Sequence, residues 1–471
     1  MYLIFDTETT GLPRSWKAPL TDTDNWPRCV QIAWQLHDEM GEIIEHKDFL
    51  IRPDGFDIPY EVEKIHGIST KLAANEGHEL SDVLDSFSEA VSQAKFIVGQ
   101  NVGFDVNVLG CEFHRFEKDL EWTTMTVLDT CTEKTALLCQ IPGGRGGKFK
   151  LPNLTELYSH LFDDTFGEAH NATADVEATT RCFLELLRLG HYSSNDLQQS
   201  DNYLSDFQTK NPDSIATLGL KHLNLKAESE KYKTETASET ISTDNNVDLS
   251  QYPFAHLHNH SQFSVLQSTT KIKAMVDKAA SMEMPAVALT DSSNLYGAFH
   301  FVDAIHKHPI NQEVVEYNKK VDKGEIDSEL KKLPLKSIVG CELSICKDHK
   351  DHSVKDNGRG VVLLAKNKQG YHNLAKMSSI AFVDGFYYVP RIDKTVVGEY
   401  KEGLIALSGG LKGEISDLIL SVGEKQAEEA LLWWKEQFAD DFYIELVRHG
   451  LEEEKRVNDT LIRFAKKHQV R

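Results

Sequence analysis

Residues 2–11 have the sequence Y-L-I-F-D-T-E-T-T-G, an apolar run followed by two acidic residues, Asp6 and Glu8. Side chains two positions apart on a β-strand share a face, so Asp6 and Glu8 point the same way. Two carboxylates this close raise each other's pKa unless a cation lies between them. An isolated pair of this kind is more often a solvent-exposed strand end. The stretch therefore predicts a divalent metal site only if further ligands converge on it.

Two later motifs supply such ligands. They are "NVGFD" (101–105), which carries Asp105, and "HNATAD" (170–175), which carries His170 and Asp175. Four carboxylates can hold two Mg²⁺ ions, and such a pair promotes phosphodiester displacement. His170 lies five residues before Asp175, about 140° round a regular helix, so we expect it on the loop that enters the helix. Histidine suits a general base because it titrates near neutrality.

The first 190 residues show the pattern of one α/β domain. The predicted elements are strands at the N-terminus, at 30–36, near 49–51 and at 96–100, and helices that begin at Leu80 and span Asp175–Leu189. The first three strands follow one another closely, which favours an antiparallel meander. A meander followed by helices and strands is the order of a ribonuclease-H-like sheet.

Composition limits the classes of function. The chain has 471 residues, 73 acidic against 51 basic, and a net charge of −22, so it does not attract duplex DNA by bulk charge. A nucleic-acid role therefore needs a local site with bound cations. The N-terminus lacks the pattern of a secretion signal, no run of about 18 apolar residues occurs, and no membrane partner is expected. The seven cysteines contain no C-x-x-C pair, which predicts reduced thiols in the cytoplasm.

The motifs "FDTETTG", "NVGFD" and "HNATADVEAT" resemble those of the DEDDh exonucleases, the family of epsilon-type proofreading subunits. The resemblance implies a two-metal 3′→5′ exonuclease that releases mononucleotides and uses Mg²⁺ or Mn²⁺. The implied metal ligands are Asp6, Glu8, Asp105 and Asp175, the implied base is His170, and the implied nucleic-acid contacts are Thr9, His66 in "IHGIS" and Asn101. An insertion at residues 12–29 departs from the family, and its role is not implied.

The second half begins after a polar stretch, residues 226–250, which predicts a linker. The preceding segment, 191–225, is ambiguous, because "IATLGLKHLNL" is apolar enough to dock on either neighbour. From residue 252 strand and helix signals alternate, and repeated βα units favour a parallel sheet or barrel. The sequence stops at "FAKKHQVR", at the end of a predicted helix, so we expect the chain to be the front portion of a longer protein.

The stretch "HLHNHS", 256–261, places His256, His258 and His260 at alternate positions. On an extended segment the three imidazoles share a face, an arrangement that suits metal ligands. A half-buried strand rim explains the same pattern equally well.

The surrounding sequence resembles the PHP domain that opens the alpha subunit of bacterial DNA polymerase III. The resemblance rests on "FAHLHNHSQFSVLQ", "MPAVALTDSSNLYGAFHF", "IVGCELSI", "LLAKNKQGYHNLAKMSS" and "EGLIALSGG". It implies a distorted (β/α)7 barrel, incomplete within these residues, with a charged insertion at about 308–335. Three family ligand positions hold Gln267, Ser292 and Gly360 instead, while His258, His260 and Glu342 remain. We therefore expect a degenerate metal site in a largely inactive barrel.

Together the two resemblances point to a polymerase III alpha subunit with a fused proofreading exonuclease. The predicted layout is an exonuclease at 1–190, a connecting segment at 191–251 and a PHP domain at 252–471. The implied partners are a single-stranded or frayed DNA 3′ end, the remainder of a polymerase chain, and the sliding clamp and other replisome subunits. Three alternatives remain: a stand-alone exoribonuclease with an accessory barrel, a metal-dependent phosphoesterase barrel, and an interaction scaffold.

Overall fold

The computed structural model describes residues 1–119, 125–167, 169–233 and 252–471. The chain divides into two compact units, Met1–Ile241 and Ser242–Arg471, with the division inside a stretch that is not described. Among the described residues, no helix combines the length and apolar character that crossing a membrane requires.

A five-stranded mixed sheet organises the first unit. Its strands are β1 (Tyr2–Thr9), β2 (Cys29–His37), β3 (Ile43–Leu50), β4 (Phe96–Gly99) and β5 (Thr126–Asp129). The order is β3-β2-β1-β4-β5, with β1, β2 and β3 antiparallel and β1, β4 and β5 parallel. The predicted meander is confirmed. The carboxyl ends of the three parallel strands meet at one edge of the sheet, and Asp6 and Glu8 lie at that edge.

Helices cover both faces of this sheet. They are α1 (Tyr60–His66), α2 (Thr70–Glu76), α3 (Leu80–Gln93), α4 (Gly103–Arg115), α5 (Glu133–Cys139), α6 (Leu154–Phe162), α7 (Ala172–Arg188), α8 (Tyr203–Lys210) and α9 (Leu225–Lys233). On one face Phe5 packs with Phe87 of α3, and on the other Tyr2 packs with Phe183 of α7. The central strands are therefore buried on both sides.

The polar positions of β2 do not face solvent. All nine residues of β2 are buried, although its sequence alternates apolar and polar residues. The Thr180 hydroxyl donates to Gln35 Oε1 at 2.9 Å, and the Ala172 amide donates to Gln31 Oε1 at 3.2 Å. The alternation thus provides hydrogen-bond acceptors for α7, because a buried polar group needs a partner.

The connecting segment packs on the first unit. Phe207 of α8 is buried in the same core as Tyr2, and the Ile215 amide donates to Glu185 Oε2 at 3.0 Å. The predicted linker is wrong for residues 226–233, which belong to α9. Leu225 at the start of this helix is buried against Ile58 and Leu72, and that contact offsets the cost of ordering the segment. The remainder of the predicted linker, 234–250, lies outside the described residues.

The second unit is also α/β. Its strands are β6 (Ala286–Leu289), β7 (Lys336–Cys346), β8 (Arg359–Ala365), β9 (Ile392–Asp393), β10 (Leu404–Leu407) and β11 (Phe442–Tyr443). Its helices are α10 (Ile272–Ser281), α11 (Ala298–Lys307), α12 (Pro309–Asp322), α13 (Lys368–Val383), α14 (Lys394–Tyr400), α15 (Glu414–Ser421), α16 (Glu424–Phe438) and α17 (Glu452–His468). The charged insertion at about 308–335 includes α12.

The sheet of the second unit follows the order β11-β10-β8-β7-β6, with β9 beside β7. The expected parallel pairing holds for part of this sheet, because β8 runs antiparallel to both β7 and β10. No helix lies between β7 and β8, so the chain returns directly and antiparallel pairing follows. The β6–β7, β7–β9 and β10–β11 pairs are parallel as predicted.

All seven cysteines are free thiols. Burial raises the pKa of the Cys131 and Cys346 thiols to about 11, and burial raises that of Cys182 and Cys341 further. A thiol of raised pKa is a poor nucleophile and metal ligand, so these cysteines have no evident chemical role.

Candidate active site

Three elements bring acidic side chains to one edge of the first sheet. Asp6 and Glu8 lie on β1, Asp105 lies in the first turn of α4, and Asp175 lies in the first turn of α7. The Asn171 side chain caps α7 by accepting from the Thr173 amide at 3.1 Å. This cap sets the start of the helix and thereby the position of Asp175.

The four carboxylates lie in one another's electrostatic field. Burial raises the pKa of Asp6 well above its usual range, and the charges of Asp105, Asp175 and Glu8 raise it further. Burial raises the pKa of Glu8 in the same way, with Asp175 and Asp105 adding to the effect. The pKa values of Asp105 and Asp175 rise to about 7, chiefly through burial. The site therefore has more negative charge than its own protein groups neutralise.

This donor set fits hard divalent cations. All four groups offer carboxylate oxygens, the ligands that Mg²⁺ and Mn²⁺ accept. A cation among them would remove the cost of holding like charges together in a buried site. Oxygens of Glu8 and Asp175 and a ring nitrogen of His170 all lie within 4.8 Å of one another.

His170 lies on the loop before α7, where its spacing from Asp175 predicted it. Its backbone adopts a left-handed conformation with φ of 70°, and its amide donates to Asp175 Oδ2 at 3.0 Å. The imidazole is exposed to solvent. A non-glycine residue in this conformation is strained, and such strain is common at functional sites. The main chain is fixed to Asp175 while the ring remains accessible.

Thr7 holds Asp105, a contact that the sequence analysis missed. The Thr7 amide and hydroxyl both donate to Asp105 Oδ1, at 3.0 and 2.6 Å. Both hydrogen bonds favour the ionised carboxylate and oppose the effect of burial on its pKa. Thr7 is separated from Asp105 by 98 residues, so the pairing follows from the parallel contact of β1 with β4 rather than from a local pattern.

Asp129 is a second site residue that the sequence analysis missed. It ends β5, and its carboxylate accepts from the amides of Asn101, Val102 and Cys131, at 2.8, 3.2 and 2.7 Å. These bonds fix the loop before α4, where Asn101 adopts a φ of 58°. The charge of Asp129 also raises the pKa of Asp105. An acidic residue at the end of a strand parallel to β4 was a usable signal.

His66 and Thr9 lie beside the carboxylates. His66 is 4% exposed, and its Nδ1 accepts from the Ile68 amide at 3.0 Å. Burial lowers the pKa of His66 to about 4, a backbone hydrogen bond with Thr9 opposes this, and His170 contributes to the lowering. His66 is therefore neutral at pH 7. The Thr9 hydroxyl donates to the Gly11 carbonyl at 2.8 Å.

The insertion at 12–29 is anchored to α4. Arg28 Nε lies 2.9 Å from Glu112 Oε1, and Arg115 Nη2 donates to the carbonyls of Thr23 and Trp26. At the tip, the Trp16 ring contacts that of Phe104, the neighbour of Asp105, with 5.8 Å between centroids. The insertion therefore packs on α4, the helix that carries Asp105.

A second cluster occupies the second unit. Side-chain atoms of His258, His260 and Glu342 lie within 4.8 Å of one another. His258 Nδ1 lies 2.8 Å from Glu445 Oε1, and His260 Nε2 lies 3.0 Å from Glu342 Oε2. Glu445 was not identified from the sequence. His256, the first histidine of the alternating stretch, lies outside this cluster, and its carbonyl accepts from the Ala288 amide at 2.9 Å.

Histidines and glutamates of this second cluster shift one another's pKa in the direction that favours their charged forms. Burial lowers the pKa of His258, but the hydrogen bond and charge of Glu445 outweigh burial and raise it overall. Burial raises the pKa of Glu342, but His260 and His258 lower it overall. Neutral groups complete the surroundings. The Ser292 hydroxyl donates to Gln267 Oε1 at 2.7 Å, and a Cβ at Gly360 would lie 3.0 Å from Glu342 Oε1.

Two family models match the chain. Residues 3–183 match the model described as Exonuclease, and residues 256–449 match the model described as PHP domain. The DNA polymerase III subunit alpha of Borreliella burgdorferi is 37% identical over 217 residues, which are 45% of this chain and 17% of that protein. The same subunit of Thermus aquaticus is 36% identical over 226 residues, 46% of this chain and 16% of that protein. The chain thus spans less than a fifth of these relatives.

Solved structures give a weaker likeness. Exonuclease I of E. coli in complex with a 5cy-dT13 oligonucleotide is 23% identical, with a TM-score of 0.32 and coverage of 40% of each chain. Exonuclease I from Methylocaldum szegediense is 21% identical, with a TM-score of 0.31 and coverage of 42% of this chain and 44% of that one.

Proposed function

We propose that the first unit is a divalent-metal-dependent 3′→5′ DNA exonuclease, joined in one chain to the PHP domain of a replicative polymerase III alpha subunit. The observation that carries the proposal is the group of four carboxylates, one buried and three half-buried, in which the neighbouring acids raise the pKa of Asp6, Glu8 and Asp175. A protein gains nothing in stability from such a group, so the cost is explained by function. The exonuclease match at residues 3–183 agrees with this chemistry.

Asp6, Glu8, Asp105 and Asp175 would hold two divalent cations, Mg²⁺ or Mn²⁺. When bound, the cations supply Lewis acidity for phosphodiester displacement. Thr7 favours the ionised form of Asp105 and fixes the orientation of its carboxylate through two hydrogen bonds to one oxygen. The first turns of α4 and α7 favour the negative charge of Asp105 and Asp175 through the helix dipole.

His170 is the general base in this proposal. Its exposed imidazole accepts the proton of the attacking water, while its amide stays bonded to Asp175. Neutral His66, with Thr9 and Asn101, lines the side on which the terminal nucleotide lies. Neutrality matters, because an uncharged His66 donates or accepts a hydrogen bond without attracting water to a buried position.

The similarity to polymerase III alpha subunits favours DNA over RNA as the substrate. A stand-alone exoribonuclease would use the same chemistry, but the PHP match at residues 256–449 follows the nuclease in the same chain. The proposed partners are therefore a frayed or single-stranded DNA 3′ end and the remainder of a polymerase chain. At the level of the whole protein, the proposal includes the cytoplasm as compartment and the sliding clamp and other replisome subunits as partners.

Hydrolysis of labelled oligonucleotides tests this function. With Mg²⁺ or Mn²⁺, the purified chain should shorten 5′-labelled single-stranded DNA one nucleotide at a time, and Asp6→Ala should abolish the ladder. A matched RNA oligonucleotide should be degraded more slowly. Faster degradation of RNA would contradict the proofreading role, and full activity of Asp6→Ala would contradict the site itself.

We further propose that the second unit is a degenerate PHP domain with little or no hydrolytic activity. Its histidines and glutamates already contact one another, so a cation there would have to displace these contacts. The double variant His258→Ala, His260→Ala should retain the nuclease activity of the unmodified chain. A phosphatase or nuclease activity that survives in Asp6→Ala and disappears with His258→Ala would show that the barrel is active.

A further inference from the structure

A strap of residues 213–233 follows the matched exonuclease region and returns to the active site. Near its start, the amides of Gly219 and Leu220 donate to the two oxygens of Glu177 on α7, at 2.7 and 3.3 Å. His222 Nε2 lies 3.2 Å from Glu177 Oε2. The strap is therefore held along the helix that carries Asp175.

The strap then touches both histidine loops of the site. The Asn171 side chain, next to His170, donates to the Leu223 carbonyl at 3.0 Å. On the other side, the Ser229 hydroxyl donates to the carbonyl of Gly67, next to His66, at 2.6 Å. One short segment thus bridges the loop of the proposed base and the loop of the proposed nucleotide contact.

Lys226 is a strap residue that packs against Gly67, the neighbour of His66. A Cβ added to Gly67 would lie 2.6 Å from Lys226 Cγ and 2.8 Å from its amide nitrogen, so the lysine packs directly against this glycine. Its charge also contributes to the lowered pKa of His66. The side chain is exposed, and among the described residues no acidic side chain forms an ion pair with it.

Lys231, another lysine of α9, has a different environment. Lys231 lies 2.6 Å from Glu228 and is already neutralised. Lys226 instead puts an uncompensated positive charge beside a site that is otherwise strongly acidic. A cation at the rim of such a site serves to hold the phosphate backbone of a substrate strand, which the carboxylates themselves repel.

We propose that Lys226 is a substrate-binding residue that contacts a backbone phosphate of the single strand whose 3′ end lies beside His66. This inference rests on the proposed nuclease function and adds to it a residue outside the matched region 3–183. The tie between Ser229 and Gly67 holds Lys226 in place. The contact is made with phosphate, so it does not distinguish between bases.

Salt-dependent binding of a fluorescent single-stranded oligonucleotide tests the inference. The full chain with Asp6→Asn, which is expected to bind without cutting, serves as the background. Adding Lys226→Gln should weaken binding and reduce the slope of log K against log salt by about 0.7, the loss of one phosphate contact. Lys226→Arg should restore the slope, and Lys231→Gln should leave it unchanged. In cutting-competent protein, Lys226→Gln should raise KM several-fold with kcat nearly constant.

The other outcomes of these measurements distinguish a wrong inference about Lys226 from a wrong proposal about the nuclease function. A Lys226→Gln variant with unchanged slope and KM overturns the inference, and so does an equal effect of Lys231→Gln, which would indicate bulk charge alone. Unchanged melting temperatures separate a binding defect from a folding defect, because Lys226 is exposed. If the unmodified chain fails to shorten DNA, the proposed function itself falls. If it shortens DNA and Lys226→Gln behaves identically, only the inference falls.

Discussion

Thr7 sets the protonation of one proposed metal ligand. Thr7→Val removes the 2.6 Å hydrogen bond to Asp105 and keeps the backbone bond. A lost hydrogen bond to a charged group costs about 1.5–3 kcal/mol, so the pKa of Asp105 should rise by about one unit or more. The ionised ligand then requires a higher pH, and the acid limb of the pH profile of kcat/KM should move upward by a similar amount. Thr209→Val, on the exposed side of α8, is the control, and an unmoved limb in Thr7→Val would contradict this role.

His170 is the proposed proton acceptor. His170→Gln keeps a polar side chain of similar size but removes the base, and kcat should fall about 10²–10⁴-fold with little change in KM. His160→Gln, an exposed histidine on α6, should leave both constants unchanged. Steady-state hydrolysis of a labelled oligonucleotide measures both variants. A loss of less than about tenfold would assign the proton transfer to another group.

At the residue scale, sequence patterns identify residues whose role is local and miss those whose role depends on tertiary contacts. Asp6 and Glu8 are predictable because the two-residue period of a strand fixes their common direction. Thr7 and Asp129 become site residues only when β1, β4 and β5 lie side by side. Glu445 contacts His258, which lies 187 residues away in the sequence, and no local sequence pattern predicts a contact between residues so far apart.

At the scale of elements, the strap depends on one buried acid. Glu177 is 8% exposed and accepts two strap amides, so Glu177→Ala leaves these amides without their acceptor. The variant should lower the free energy of unfolding by about 1–3 kcal/mol and make the strap sensitive to protease. Glu89→Ala, on the exposed face of α3, is the matched control. If the strap is cleaved no faster in Glu177→Ala than in the control, Glu177 does not hold it.

The meander and the main helices of the first unit follow from periodicity, while the strap does not. β1, β2, α3 and α7 each have a regular apolar pattern, and the structure places them close to the predicted bounds. Helix α9 has a polar sequence and is held by a few contacts, among them Leu225 and Ser229, so composition alone predicts a linker there. In the second unit, βα alternation predicts the strands but not the antiparallel direction of β8, which the direct return from β7 decides.

At the scale of the whole molecule, the carboxylate cluster of the first unit and the histidine–glutamate cluster of the second differ in their charge balance. The first gathers four carboxylates in which neighbouring acids raise the pKa of Asp6, Glu8 and Asp175, whereas the second pairs each histidine with a glutamate. In the second cluster the histidines lower the pKa of Glu342 instead. This contrast underlies the assignment of nuclease activity to the first unit and of a degenerate site to the second.

Because protonation is linked to stability, the raised pKa values of the first cluster should change the stability of the protein with pH. Asp105 and Asp175 have a pKa of about 7 in the folded protein and near 4 in an unfolded chain, so the folded state binds protons more tightly. Without metal, stability should therefore fall as the pH rises from about 4 to about 7, and the full penalty should be present at pH 8. Replacing one of the four carboxylates should relieve that penalty.

The thermal unfolding of Asp6→Asn at pH 8, with and without Mn²⁺, tests the central claim most directly. The double variant His258→Ala, His260→Ala serves as a common background, so that the histidine–glutamate cluster does not contribute to the response to metal. In EDTA, Asp6→Asn should raise the melting temperature of the first unit by about 2–4 °C, equivalent to about 1 kcal/mol, and Mn²⁺ should stabilise the parent far more than the variant. A variant that melts lower than its parent in EDTA and gains as much from Mn²⁺ would show that the four carboxylates do not form a shared cation site.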